Sequence, residues 1–137
     1  MFSRNNRSVK EFQSNLYKVN DIDYNDIIES PKLVEALIPN SIEEYFEFYS
    51  LSYSEKTLSL YRKIDMAIIE LATRNKGNCT YLYFNMAEYV DGEYAQKFFD
   101  NIDSLIEKNK TTFCKFFSNL RKGSQERLES KRSKFCN

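Results

Sequence analysis

The sequence predicts an all-α fold, and three observations carry that prediction. Apolar residues recur at intervals of three and four through most of the chain, which gathers them on one side of a helix. Only three glycines and two prolines occur in 137 residues, too few for the turns of an all-β chain. Helix-start signals also recur, at Ser30-Pro31, Ser41-Ile42-Glu43-Glu44 and Ser52-Tyr53-Ser54-Glu55, where a hydroxyl can accept from first-turn amides. The expectation is a single compact multi-helix domain over residues 1–137, with about five to seven helices in an antiparallel bundle or an irregular array. Its core is placed at about residues 30–121.

Residues 1–11 carry Arg4, Arg7 and Lys10 against Glu11. They read as a flexible basic arm running into a short helix near Val9–Tyr17. Residues 12–53 are acidic, with Asp21, Asp23, Asp26, Glu29, Glu35, Glu43, Glu44 and Glu47 opposing Lys18 and Lys32. Asp21-Ile22-Asp23-Tyr24-Asn25-Asp26 resembles the start of a calcium loop. Asp26 and Lys32, however, stand where glycine and a bidentate glutamate are required, so a solvated acidic loop is expected. Pro31 opens a short helix that carries Leu33, Val34 and Leu37 and stops before Pro39, since the residue preceding proline avoids the α region. The Ser41 box opens the next helix, in which Tyr45, Phe46, Tyr49 and Phe48 are candidates for the inward side; set against the long helix, the packed face is assigned to Ile42, Phe46 and Tyr49.

The longest patterned stretch, about Glu55–Asn75, aligns Leu58, Tyr61, Ile64, Ile68, Leu71 and Ala72, widened by Leu60 and Ala67. Arg62, Lys63, Asp65, Glu70 and Arg74 fall mostly outside. Asn75-Lys76-Gly77-Asn78 ends it, with glycine available for a left-handed cap. Three amphipathic helices with almost no connecting sequence follow, over Cys79–Val90, Glu93–Lys108 and Thr111–Leu120; one long helix kinked at Gly92 is the rival reading. Their aromatic stripes, Phe98 and Phe99, then Phe113, Phe116 and Phe117, are the spacing of buried packing surface. Residues 122–137 read as a basic tail, helical or frayed, anchored by little beyond Leu128 and Phe135. No residue-level repeat of fixed period runs through the chain.

Chemistry is thin by comparison. The chain has no histidine, which removes the commonest general base and metal ligand. Its three glycines cannot write a dinucleotide or phosphate loop. Carboxylates at helical spacing, Glu43/Glu47 and Glu88/Asp91, read as surface charge. Cys79 and Cys114 fall on apolar faces and read as small buried hydrophobes, Cys136 as an exposed, oxidisable thiol. That set suits a reducing compartment. Asn78-Cys79-Thr80 and Asn109-Lys110-Thr111 match the glycosylation pattern but already have helix-capping uses. No catalytic residue, cofactor or metal site is expected, and no run of apolar residues is long enough to span a membrane. With the given N-terminus taken as native, the cytoplasm is the expected location.

The functional expectation is a non-enzymatic protein-interaction module, with self-association open. Its candidate patch is Tyr45, Phe48 and Tyr53 with an acidic rim of Glu44 and Glu47, because exposed aromatics within charge are a usual binding composition; the rival reading is that terminal helices cover this flank and these aromatics are core. The alternative is a nucleic-acid binder. Arg121, Lys122, Arg127, Lys131, Arg132 and Lys134 would then contact phosphates, provided that tail and N-terminal arm converge on one face. Balanced charge, 20 basic against 20 acidic residues, disfavours it.

Overall fold

The computed structural model describes residues 7–136, and among them it is all helical, with no strand. Nine α-helices run in order: α1 Val9–Lys18, α2 Tyr24–Ile28, α3 Pro31–Leu37, α4 Ile42–Ser50, α5 Glu55–Thr73, α6 Cys79–Asn85, α7 Gly92–Lys108, α8 Lys110–Phe116 and α9 Lys122–Phe135. Short 3-10 turns follow α4 (Leu51–Tyr53), α6 (Met86–Glu88) and α8 (Phe117–Asn119). The segments are more numerous than expected partly because the acidic loop contains α2, which buries Ile27.

Local chemistry explains the starts and stops. Ser8 and Glu11 form a reciprocal capping box before α1, and Ser30, Ser41 and Ser54 each accept a backbone amide at the heads of α3, α4 and α5. These bonds satisfy amides that have no partner inside the helix. After α5 the backbone turns left-handed at Asn75 and Gly77, both with φ 54°. Glu35 then accepts from the Asn78 amide at 2.9 Å. Gly92, at φ 61°, separates α7 from the preceding turn, so the two are distinct helices and not one kinked rod.

The central element is α5, which touches α2, α3, α6, α7 and the Leu51–Tyr53 turn. Its wide apolar face, Leu60, Ile64, Ala67, Ile68, Leu71 and Ala72, is buried. Asp65 is buried with it, contrary to its expected outward position. It is held there by the Tyr94 hydroxyl, which donates at 2.9 Å, and by Lys97 Nζ at 3.0 Å. A buried carboxylate needs such donors, because desolvation otherwise costs several kcal/mol, about what the paired geometry must offset.

The core also extends beyond residues 30–121. Phe12, Leu16, Val19 and Ile27 join it from the N-terminal side and Leu128 from α9. The notion of a flexible basic arm fails where the structure reaches it; residues 1–6, Arg4 among them, lie outside the described residues. The Arg7 side chain is buried, paired with Glu44 at 2.6 Å and donating to the Ala36 and Ile38 carbonyls, each at 3.0 Å.

The C-terminal segment is a packed helix. Ser124 donates to the Asn85 carbonyl at 2.9 Å, and Arg127 donates to the Ala87 and Val90 carbonyls at 2.9 and 2.6 Å. Those carbonyls sit where helical bonding runs out after α6, so α9 completes that end. Its far end is tied by a Cys114–Cys136 disulfide with a Cα–Cα distance of 5.6 Å. Neither residue is the small buried hydrophobe or loose thiol expected, because the reversal between α8 and α9 brings together cysteines 22 positions apart. The expectation of a reducing compartment therefore loses its premise. No helix among the described residues is long and apolar enough to cross a membrane.

Candidate interaction surface

Helix α4 is apolar around most of its circumference, so its orientation decides which aromatics reach solvent. The structure turns it opposite to the expected way. Tyr45 and Phe48 are fully buried, three residues apart on one face, with Leu51 continuing that side. The Tyr45 ring lies 5.9 Å from Tyr89 and 5.8 Å from Tyr94, and Phe48 packs 5.1 Å from Tyr61 and edge-on to Tyr94. Such ring pairs add to the gain from burial itself. Glu44 is buried as well, held by Arg7 and by the Asn40 amide at 2.7 Å. Of the five residues assigned to a patch, Tyr45, Phe48 and Glu44 are therefore interior; Tyr53 and, partly, Glu47 remain at the surface.

What α4 shows to solvent is the other stripe. Ile42, Phe46 and Tyr53 are 47 %, 53 % and 76 % exposed, and half-buried Tyr49 stands between them. The intervals of four and three from Ile42 through Phe46 to Tyr49 trace one row on α4, and Tyr53, in the 3-10 turn that follows, continues it by meeting Tyr49 edge-on at 5.5 Å. The row is a ridge about 16 Å long, at 1.5 Å of rise per residue.

Negative charge lies along both sides of this ridge. Glu43 and Glu47 follow Ile42 and Phe46 by one position each, which sets them on one flank. On the other, the head of α7 brings up Asp91 and Glu93. Burial, then the charges of Glu93 and Asp91, push the Tyr49 phenol up from its ordinary value. Beyond Tyr49 the ridge borders an open cleft of about 320 Å³ lined by Tyr49, Ser52, Tyr61, Glu93, Tyr94 and Lys97. Lys97 is the cation there, and its ammonium is engaged by buried Asp65.

The basic residues of the alternative reading are mostly occupied by the protein itself. Arg121 bonds to the Asn40 carbonyl and side chain and lies 3.6 Å from Glu88. Arg127 serves two carbonyls and stacks 5.0 Å over Phe99. Lys131 pairs with Asp103 at 2.7 Å and Arg132 with Glu129 at 2.5 Å. Lys134 lies 5.0 Å over its neighbour Phe135, and Lys122 is exposed. The described basic residues of the two ends that approach each other, Arg7 through Glu44 and Arg121 through Asn40, are both engaged by the protein itself. Helix α1 sits on α3 and α4, whereas α9 sits on α8 and the turns at Met86–Glu88 and Phe117–Asn119.

Sequence reasoning missed Ile42, Phe46 and Tyr49 as the outward row. One signal did point to them: Glu43 and Glu47, four apart, lie on the opposite side of the helix from Tyr45, and a charged pair marks the side facing water. Comparison of the chain with protein-family models, with curated proteins and with solved structures finds no match.

Proposed function

We propose that this chain is a non-enzymatic protein-interaction module that engages its partner through the Ile42–Phe46–Tyr49–Tyr53 ridge. The observation that carries the reading is this exposed apolar row on a domain that buries most of its other aromatics. Isolated exposed side chains need no explanation, but a contiguous row rimmed by charge is the usual composition of a contact surface. Tyrosine and phenylalanine supply large, rigid contact area, which suits them as interface anchors.

Site-specific crosslinking in the source cell tests the proposal. A photoreactive aromatic replacing Tyr53 should give a discrete protein adduct, and Phe46→Ala should abolish it. The same group replacing Glu126, exposed on α9, should give none. Adducts that form equally from position 126, or that persist in the Phe46→Ala background, would contradict the assignment.

A further inference from the structure

The ridge is one row of side chains wide, running from α4 into the turn that follows it, and its chemistry restricts what fits it. We infer that its occupant is one amphipathic helix of about three turns, apolar along one face and lined with lysine or arginine on both flanks. This deepens the ridge reading and rests on it.

The first argument is shape. A row of side chains at intervals of four and three, continued by Tyr53 in the turn, is the kind of ridge that seats between the rows of a second helix. The cleft beside Tyr49, at about 320 Å³, has room for one large anchor side chain along the flank of that contact. The second argument is charge. Glu43 and Glu47 lie on one flank, and Asp91 and Glu93 stand close to Tyr49 on the other. Lys97 offsets them little, since it is paired with Asp65, and at the Tyr53 end Glu55 and Lys56 balance each other. An apolar strip between two acidic margins favours a partner with cations at matching positions and repels an acidic one.

A second copy of the chain fits poorly. Ridge against ridge would set each acidic margin against its own kind. The basic helix α9 of another copy lacks an apolar row to offer, because Leu128 is buried in its own core and Phe135 is half-buried beside the disulfide.

Three synthetic peptides test the inference against the full chain by fluorescence anisotropy. One carries leucines on a single helical face with lysines on the flanks; one replaces the lysines by glutamates; one scrambles the lysine peptide so that no apolar face forms. The lysine peptide should bind at least about tenfold tighter than either control, and more weakly as salt rises. Phe46→Ala with Tyr53→Ala should weaken it about tenfold or more, and Glu43→Gln with Glu47→Gln should reduce its salt dependence. All four positions are exposed or half-exposed, and circular dichroism verifies that the variants fold. Equal binding of the glutamate or scrambled peptide would overturn the inferred chemistry, while leaving the ridge standing if that binding still required Phe46 and Tyr53. No binding by any peptide would overturn the inference too, with the ridge then judged by the crosslink at position 53, which uses no peptide. Sedimentation showing a dimer that the ridge variant dissolves would replace the foreign helix with a second copy.

Discussion

At Tyr45, Phe46 and Phe48, neighbouring aromatics on one short helix have opposite fates. Phe48 fills a site among Tyr61 and Tyr94, and Tyr45 adds a hydroxyl bond to the Asp91 carbonyl. Truncating either leaves a cavity that a packed core closes incompletely, so Tyr45→Ala and Phe48→Ala should each cost about 3–5 kcal/mol of stability. Phe46→Ala removes a side chain that is 53 % exposed and should cost no more than about 1 kcal/mol. Urea denaturation of the three variants checks the contrast, and comparable losses at positions 46 and 48 would show that α4 is turned otherwise. The assignment that failed here failed for one residue. Glu44 draws its side of the helix outward on paper. Only its pairing with Arg7, 37 positions away, makes a buried carboxylate acceptable.

At the scale of elements, α9 shows how little hydrophobicity a helix needs when polar bonds dock it. Its buried side chains are Ser124 and Leu128, and Arg127 caps the carbonyls after α6. Past Leu128 the anchors thin to the Lys131–Asp103 pair, half-buried Phe135 and the disulfide. The denatured, unreduced chain should therefore react with one equivalent of thiol reagent, at Cys79, rising to three after reduction. Reduction should lower stability by about 3 kcal/mol, the chain-entropy value for a loop of this order. Amide exchange should accelerate first in residues 129–135. Three reactive thiols before reduction would remove the bridge. The helices themselves were legible, since Ser30, Ser41, Gly77 and the apolar spacings act within a few residues of chain. The cysteine pair was not, because bridge formation depends on where a chain reversal returns, and no local pattern encodes that distance.

For the whole molecule, the tyrosines around α5 and α7 set an alkaline limit. Burial pushes the phenols of Tyr45, Tyr61, Tyr83, Tyr89 and Tyr94 up, Tyr45 to about 12, and the charge of Asp65 raises Tyr61 and Tyr94 further. Below about pH 10, the ordinary phenol value, both folded and unfolded chains hold neutral phenols and stability is intact. Above it the unfolded chain loses protons that the folded chain retains, so stability falls as pH rises. A spectrophotometric titration should show these tyrosines ionising together with the loss of helical circular dichroism. Smooth ionisation near pH 10 with the helices intact would contradict their burial. By itself the sequence determined the all-α class, most helix boundaries and the long central helix, because caps and three-to-four spacing are local physics. Only the tertiary structure decided that α4 buries Tyr45 and Phe48 and offers Phe46 to solvent. It also decided that Asp65 lies inside, that Arg7 pairs with Glu44 and that Cys114 meets Cys136. Each of those outcomes depends on partners far away in the chain, whose arrival the spacing of residues within one helix does not encode.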